Sequence, residues 1–126
     1  LFMQRAIRVV RTFSLGLAFA LGASQVSAAG ALAIDSNQGE QYGFAYQYAD
    51  FDQAQTRALN ECGAGCQVVL QFADECAAYA ADQANGSSIY GWATAPSAVD
   101  AQSGAISQCA ARGGNSCIVR TWGCEN

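Results

Sequence analysis

The chain carries one pattern written twice, and this duplication constrains its fold more than any single motif. Tyr42-Gly43-Phe44-Ala45 recurs as Tyr90-Gly91-Trp92-Ala93, Ala54-Gln55 as Ala101-Gln102, Ala58-Leu59 as Ala105-Ile106, and Cys62 as Cys109. Farther on, Cys66-Gln-Val-Val-Leu-Gln-Phe72 answers Cys117-Ile-Val-Arg-Thr-Trp122, with Cys76 and Cys124 closing the copies. The offset is 48 residues at the first block and 47 at the next, which places a one-residue difference in the loop between them. Matches in a fixed order at a near-constant period mark a repeated supersecondary unit. The two units span about residues 30–75 and 76–126.

Each copy reads as strand-strand-helix-strand. Ala31–Asp35 and Tyr42–Tyr48 flank the polar turn Ser36-Asn37-Gln38-Gly39-Glu40, as Ala77–Asp82 and Ile89–Ala95 flank Asn85-Gly86-Ser87-Ser88, so each pair is expected to form a hairpin. Phe51, Ala54, Ala58, Leu59 and Cys62 then fall at helical spacing behind Asp50, with Gln53 three residues on as in a capping box. Ala98, Ala101, Ala105, Ile106 and Cys109 follow Ser97 in the same way, and Pro96, the only proline, precedes that cap, where it does the helix no harm. Gly63 and Gly113 suit the helix ends, and the β-branched runs Val68–Phe72 and Ile118–Trp122 supply the last strands. The expected fold is α+β, with two tandem units forming one disulfide-stabilised domain of pseudo-twofold symmetry. Small alanine faces let each helix approach its sheet closely.

The first 28 residues read as a leader rather than as part of that fold. Arg5, Arg8 and Arg11 precede an uncharged apolar run, Thr12–Ala23, and the small residues Val26 and Ala28 mark a secretory cleavage site after Ala28. The apolar run has about twelve residues where a membrane span needs roughly 20, so stable membrane insertion is not expected. Cleavage would leave 98 of the 126 residues and remove three of the six Arg but none of the ten acids, shifting the net charge from −4 to −7. Nucleic-acid binding needs clustered cations, and Arg57, Arg112 and Arg120 are far apart in sequence.

Taken together, the paired Tyr-Gly-aromatic-Ala blocks, the Ala-rich helices ending in Cys, and the Cys-x-Val-Val and Cys-Ile-Val strands resemble the bacterial domain of unknown function 4189 family. The resemblance covers about residues 30–126 and implies a small exported domain in the periplasm or medium. It implies no activity, catalytic residue or cofactor.

The six cysteines, Cys62, Cys66, Cys76, Cys109, Cys117 and Cys124, all lie in the expected mature chain, and an even count in an oxidising compartment reads as a disulfide framework. Fifteen pairings are open. If equivalent cysteines make equivalent bonds, the favoured set is Cys62–Cys66, Cys109–Cys117, and Cys76–Cys124 joining the copies. Redox chemistry is the competing reading. Cys62-Gly-Ala-Gly-Cys66 lacks the Cys-x2-Cys spacing, however, and Cys62 falls at a helix C-terminus, where the dipole disfavours a thiolate. Structural zinc has neither the spacing nor a histidine.

The remaining candidates each have a structural explanation. Asp35 to Glu40 faintly resembles a calcium loop, but the glycine is one position early and Tyr46 stands where the bidentate Glu belongs. With no His and no Lys, catalysis would fall to carboxylates: Asp50, Asp52 and Glu61 on one helix, or Asp74-Glu75 in a turn. Those acids read equally as a cap, a solvated face and a turn. The alternation of Tyr42, Phe44, Tyr46 and Tyr48 puts four rings on one sheet face, and Tyr90 and Trp92 begin the same stripe in the second copy. These rings make either a core or a binding surface. The expected function is a non-catalytic binding or interaction module for a protein or envelope component, needing no metal and no cofactor. A carboxylate-dependent hydrolase of envelope polymers and a purely structural stress-resistance protein are the alternatives.

Overall fold

A computed structural model describes residues 28–35 and 41–125. The expected signal peptide at 1–28 and the turn at 36–40, including the calcium-loop candidate, therefore lie almost wholly outside the described residues. The order is β1 (Ala29–Asp35), β2 (Tyr42–Tyr48), α1 (Phe51–Cys62), β3 (Cys66–Phe72), β4 (Cys76–Asp82), β5 (Tyr90–Ala95), α2 (Ala98–Ala111) and β6 (Cys117–Cys124). Two antiparallel three-stranded sheets result, ordered β2-β1-β3 and β5-β4-β6, so each copy builds its own sheet around its first strand. The α+β class, the repeated layout and the disulfide stabilisation are those expected from the sequence.

The helices start where capping chemistry starts them. Asp50 and Ser97 are extended residues whose side chains accept hydrogen bonds from the backbone N–H groups of Gln53 (2.8 Å) and Asp100 (3.2 Å). Past the last turn of α1 the chain turns at Gly63, whose φ of 100° suits glycine, while α2 ends at Arg112 with Gly113 (φ 107°) following.

The layers run helix, sheet, sheet, helix. Ala29, Ala31, Ala33 and Ala45 on one sheet face pack against Ala54, Ala58 and Cys62 of α1. Ala78 and Ala80 pack in the same way against Ala101, Ala105 and Cys109 of α2. The opposite sheet faces carry the large side chains, and these meet in the centre: Leu32, Ile34, Phe44 and Phe72 of the first copy pack against Ala77, Tyr79 and Ala81 of the second. A chain of rings runs through this layer, from Tyr42 to Tyr79 (5.0 Å between centroids), Tyr79 to Tyr90 (6.2 Å) and Tyr90 to Trp92 (5.9 Å). Burial pushes the Tyr79 phenol up to about 12, against an opposing influence from the Arg120 cation. The aromatic stripe thus packs sheet against sheet, and the helices lie on the alanine faces.

The repeated Tyr-Gly-aromatic-Ala block follows from these layers. Period two sends its Tyr and aromatic residue to the central layer and its Gly and Ala to the helix. There is no room for a side chain at the glycine: a Cβ on Gly43 would lie 1.8 Å from the carbonyl oxygen of Ala58, and one on Gly91 would lie 2.4 Å from the backbone nitrogen of Cys109.

Four details of the repeat differ from the sequence reading. Cys76 opens β4 rather than closing the first copy, and it pairs directly with Cys124 at the end of β6. The bonds are Cys62–Cys66, Cys109–Cys117 and Cys76–Cys124, so the third lies inside the second copy and does not join the two. Phe72 corresponds to Gly123 rather than Trp122, because each is the partner of the second residue of its central strand, Gly30 or Ala77. The extra residue sits inside β2, not in the loop after it. The register slips between Ala29 and Ala31, and Gln47 takes a left-handed φ of 66°. This bulge breaks the alternation, so Tyr48 pairs with Ala29 and packs with the α1 cluster, away from Tyr42, Phe44 and Tyr46.

Candidate functional site

The structure divides the six aromatic candidates among different environments. Phe44 is buried between the sheets, stacked on Phe72 at 5.6 Å. Tyr42 and Tyr90 are half-buried in the same layer, and Tyr42 donates a hydrogen bond from its hydroxyl to the carbonyl of Arg120 (3.4 Å). Trp92 is half-buried beside Tyr90, with the Arg112 guanidinium 5.3 Å above both rings. Tyr46 is 46% exposed. Tyr48 alone joins the face that carries α1. The stripe is therefore largely core.

Tyr48 instead lines an open depression of about 460 Å³ beside α1, together with Asp52, Gln53, Thr56, Arg57 and Asn60. The helix positions follow the i, i+4 rule, which stacks 52, 56 and 60 in one row and 53 and 57 in the next. The geometry is braced locally. Thr56 donates from its hydroxyl to the carbonyl of Asp52 (2.9 Å), and Arg57 donates from Nε to Glu61 (2.8 Å). That carboxylate raises the already high Arg57 pKa, by hydrogen bond first and by charge second. Glu61 also accepts from the backbone N–H of Phe44 at 3.3 Å, which ties the end of α1 to edge strand β2. It is thus more than the solvated face residue suggested by its sequence context.

The two copies differ here. At the positions matching Tyr48, Asp52, Gln53, Thr56, Arg57 and Asn60, the second copy carries Ala95, Val99, Asp100, Ser103, Gly104 and Ser107. An aromatic ring, a cation and two amides are thus found on one side of the duplication only. Comparing the two helices position by position exposes this difference in the sequence, whereas a search for catalytic motifs passes over it.

A second feature outside the sequence reading is Glu125. It is 3% exposed, and both carboxylate oxygens lie 2.9 Å from the N–H of Gln47, the bulged residue. Gln47 in turn donates from Nε2 to the carbonyl of Cys124 at 2.6 Å, and Glu125 donates its own N–H to the carbonyl of Glu75 at 2.9 Å. The bulge in the first copy thus holds the end of the second, and these contacts offset the cost of a left-handed Gln47.

Burial pushes the Glu125 carboxyl above its ordinary value of 4.5, and the Gln47 N–H acts in the opposite direction. The folded protein therefore holds this proton more tightly than the unfolded chain does. The associated stability is fully present below the unfolded pKa and is lost as pH rises through the folded one. Glu125→Gln is expected to flatten the dependence of stability on pH just above 4.5. Urea unfolding across that range measures it, and an unchanged slope would contradict this assignment.

No group of three or more potential metal ligands occurs among the described residues. Two of the acids considered for catalysis have structural partners: Asp50 caps α1 and Glu61 braces Arg57. Asp82, held low chiefly by a hydrogen bond to Ser87, accepts from the backbone N–H of Ser116 at 2.9 Å. No helix among the described residues is long and apolar enough to cross a membrane. Residues 29–124 match the family model described as Domain of unknown function (DUF4189). No curated protein and no solved structure matches the chain.

Proposed function

The chain belongs to the DUF4189 family, whose description assigns no function, and we propose from its site that it is a non-catalytic binding module working outside the cytoplasm. The observation that carries this reading is the groove beside α1, whose lining residues are present in only one of two otherwise similar copies. A duplication that served stability alone would have no need of that difference. Three disulfides in so small a chain support an oxidising compartment, as does the basic and apolar leader read from residues 1–28.

The expected partner is a component of the cell envelope, and the expected event is retention without turnover. The oxidised protein should co-sediment with a bacterial envelope fraction. The Gln53→Ala/Asn60→Ala variant should lose about tenfold in apparent affinity, roughly 1.4 kcal/mol. Mass spectrometry of the supernatant should find no released fragments. Fragments whose appearance depends on an Asp or Glu of this chain would overturn the reading in favour of a hydrolase.

A further inference from the structure

The lining of the groove points to a class of ligand, an inference that rests on the binding-module reading above. It contains one aromatic ring, Tyr48, and five polar side chains, with no aliphatic residue among them. Its apolar surface comes from the Tyr48 ring and the carbon stems of the polar side chains, which suits an amphipathic ligand better than a wholly hydrophobic one. The lining also offers paired donors and acceptors. The amides of Gln53 and Asn60 each present both, Asp52 presents acceptors, the Tyr48 hydroxyl does either, and the Thr56 hydroxyl, already donating to the Asp52 carbonyl, accepts.

Charge narrows the choice further. Asp52 and Arg57 both line the groove, and Arg57 is already bound to Glu61, which lies outside the lining. A polyanion would meet the Asp52 carboxylate and the surplus of acids over Arg in the whole chain. A polycation would meet the Arg57 guanidinium. An uncharged molecule avoids both penalties. A pyranose ring has a C–H face that packs on an aromatic side chain and a rim of hydroxyls that each donate and accept.

We propose that the groove binds a short segment of uncharged glycan, with one sugar ring against Tyr48 and its hydroxyls bonded to Asp52, Gln53 and Asn60. The second copy, with Ala95 in place of Tyr48 and Val99 in place of Asp52, takes no part.

Isotope-edited NMR of the oxidised protein tests this, using the tetrasaccharides of β-1,4-linked glucose and of β-1,4-linked N-acetylglucosamine as probes. Oligogalacturonate and tetra-alanine serve as the charged and peptide comparisons. At least one uncharged sugar should saturate shifts in residues 48–60. Tyr48→Ala and, separately, the surface variant Asn60→Ala should each weaken that binding about tenfold, about 1.4 kcal/mol, with three disulfides intact. Val99→Ala should leave it unchanged. Equal binding by the Tyr48 and Asn60 variants, or tighter binding of oligogalacturonate or tetra-alanine, would overturn the proposal. If neither sugar binds while retention by envelope persists, the glycan assignment fails and the binding-module reading stands. Loss of both would remove both.

Discussion

Gly43→Ala is expected to destabilise the first copy severely, although it adds only one methyl group. Its new Cβ would lie 1.8 Å from the carbonyl oxygen of Ala58 and 2.8 Å from the carbonyl carbon of that residue. Both are helix backbone, so no side chain can rotate out of the way and α1 must lift off its sheet. Lifting it would also separate Ala54 and Ala58 from Ala31, Ala33 and Ala45, the contacts that hold this layer together. Overpacking a close-packed core costs about 1–3 kcal/mol where side chains can adjust, and a clash with backbone belongs at or above the top of that range. A domain of this size has about 5–15 kcal/mol in total.

Gly104→Ala is the milder comparison. Its Cβ would lie 2.8 Å from the Cβ of Ala93, so β5 must also give way, but no helix backbone stands against it, and alanine inside a helix recovers up to about 1 kcal/mol of propensity. Urea unfolding followed by near-ultraviolet circular dichroism compares the two. A midpoint for Gly43→Ala close to that of Gly104→Ala would contradict the helix placement.

The second large effect is expected at Cys76–Cys124. Replacing both cysteines with alanine opens a loop of 48 residues, worth about 4 kcal/mol of chain entropy. The same change at Cys62 and Cys66 opens a loop of 4, worth about 2 kcal/mol. The expected fall in melting temperature for the first variant is roughly 15–30 °C. The fold should survive, because the first copy already stands without this bond: it carries Ala29 and Ala73 where the second has Cys76 and Cys124. Calorimetry on the two double variants checks the order, and equal losses would mean that loop length does not govern these bonds.

Much of this architecture is legible in the residues. Asp50, Ser97 and the helical spacing of the alanines locate both helices, and the β-branched runs locate the last strands, because local chemistry decides these features. The central sheet-on-sheet layer is harder to read. An aromatic face signals burial but does not say against what, and period two puts Tyr42 and Tyr48 on one side unless a residue is bulged. Gln47 has no feature that announces a bulge. Its left-handed backbone is held by Glu125 and Cys124, partners 78 and 77 residues away in the chain. For the same reason Tyr48 is misplaced by simple alternation, and the groove it lines emerges only once the bulge is known. The seam of the duplication was obscured in a similar way, since Cys76 and Cys124 look like equivalent ends until strand register makes them neighbours.

Under the proposed function the two copies divide their roles, with binding confined to the first. Hydrogen–deuterium exchange of the oxidised protein, free and bound to envelope polymer, tests this most directly. Added protection is expected across residues 48–60 and none across 95–107. Protection confined to 95–107, or to the stack of Tyr90, Trp92 and Arg112, would contradict it.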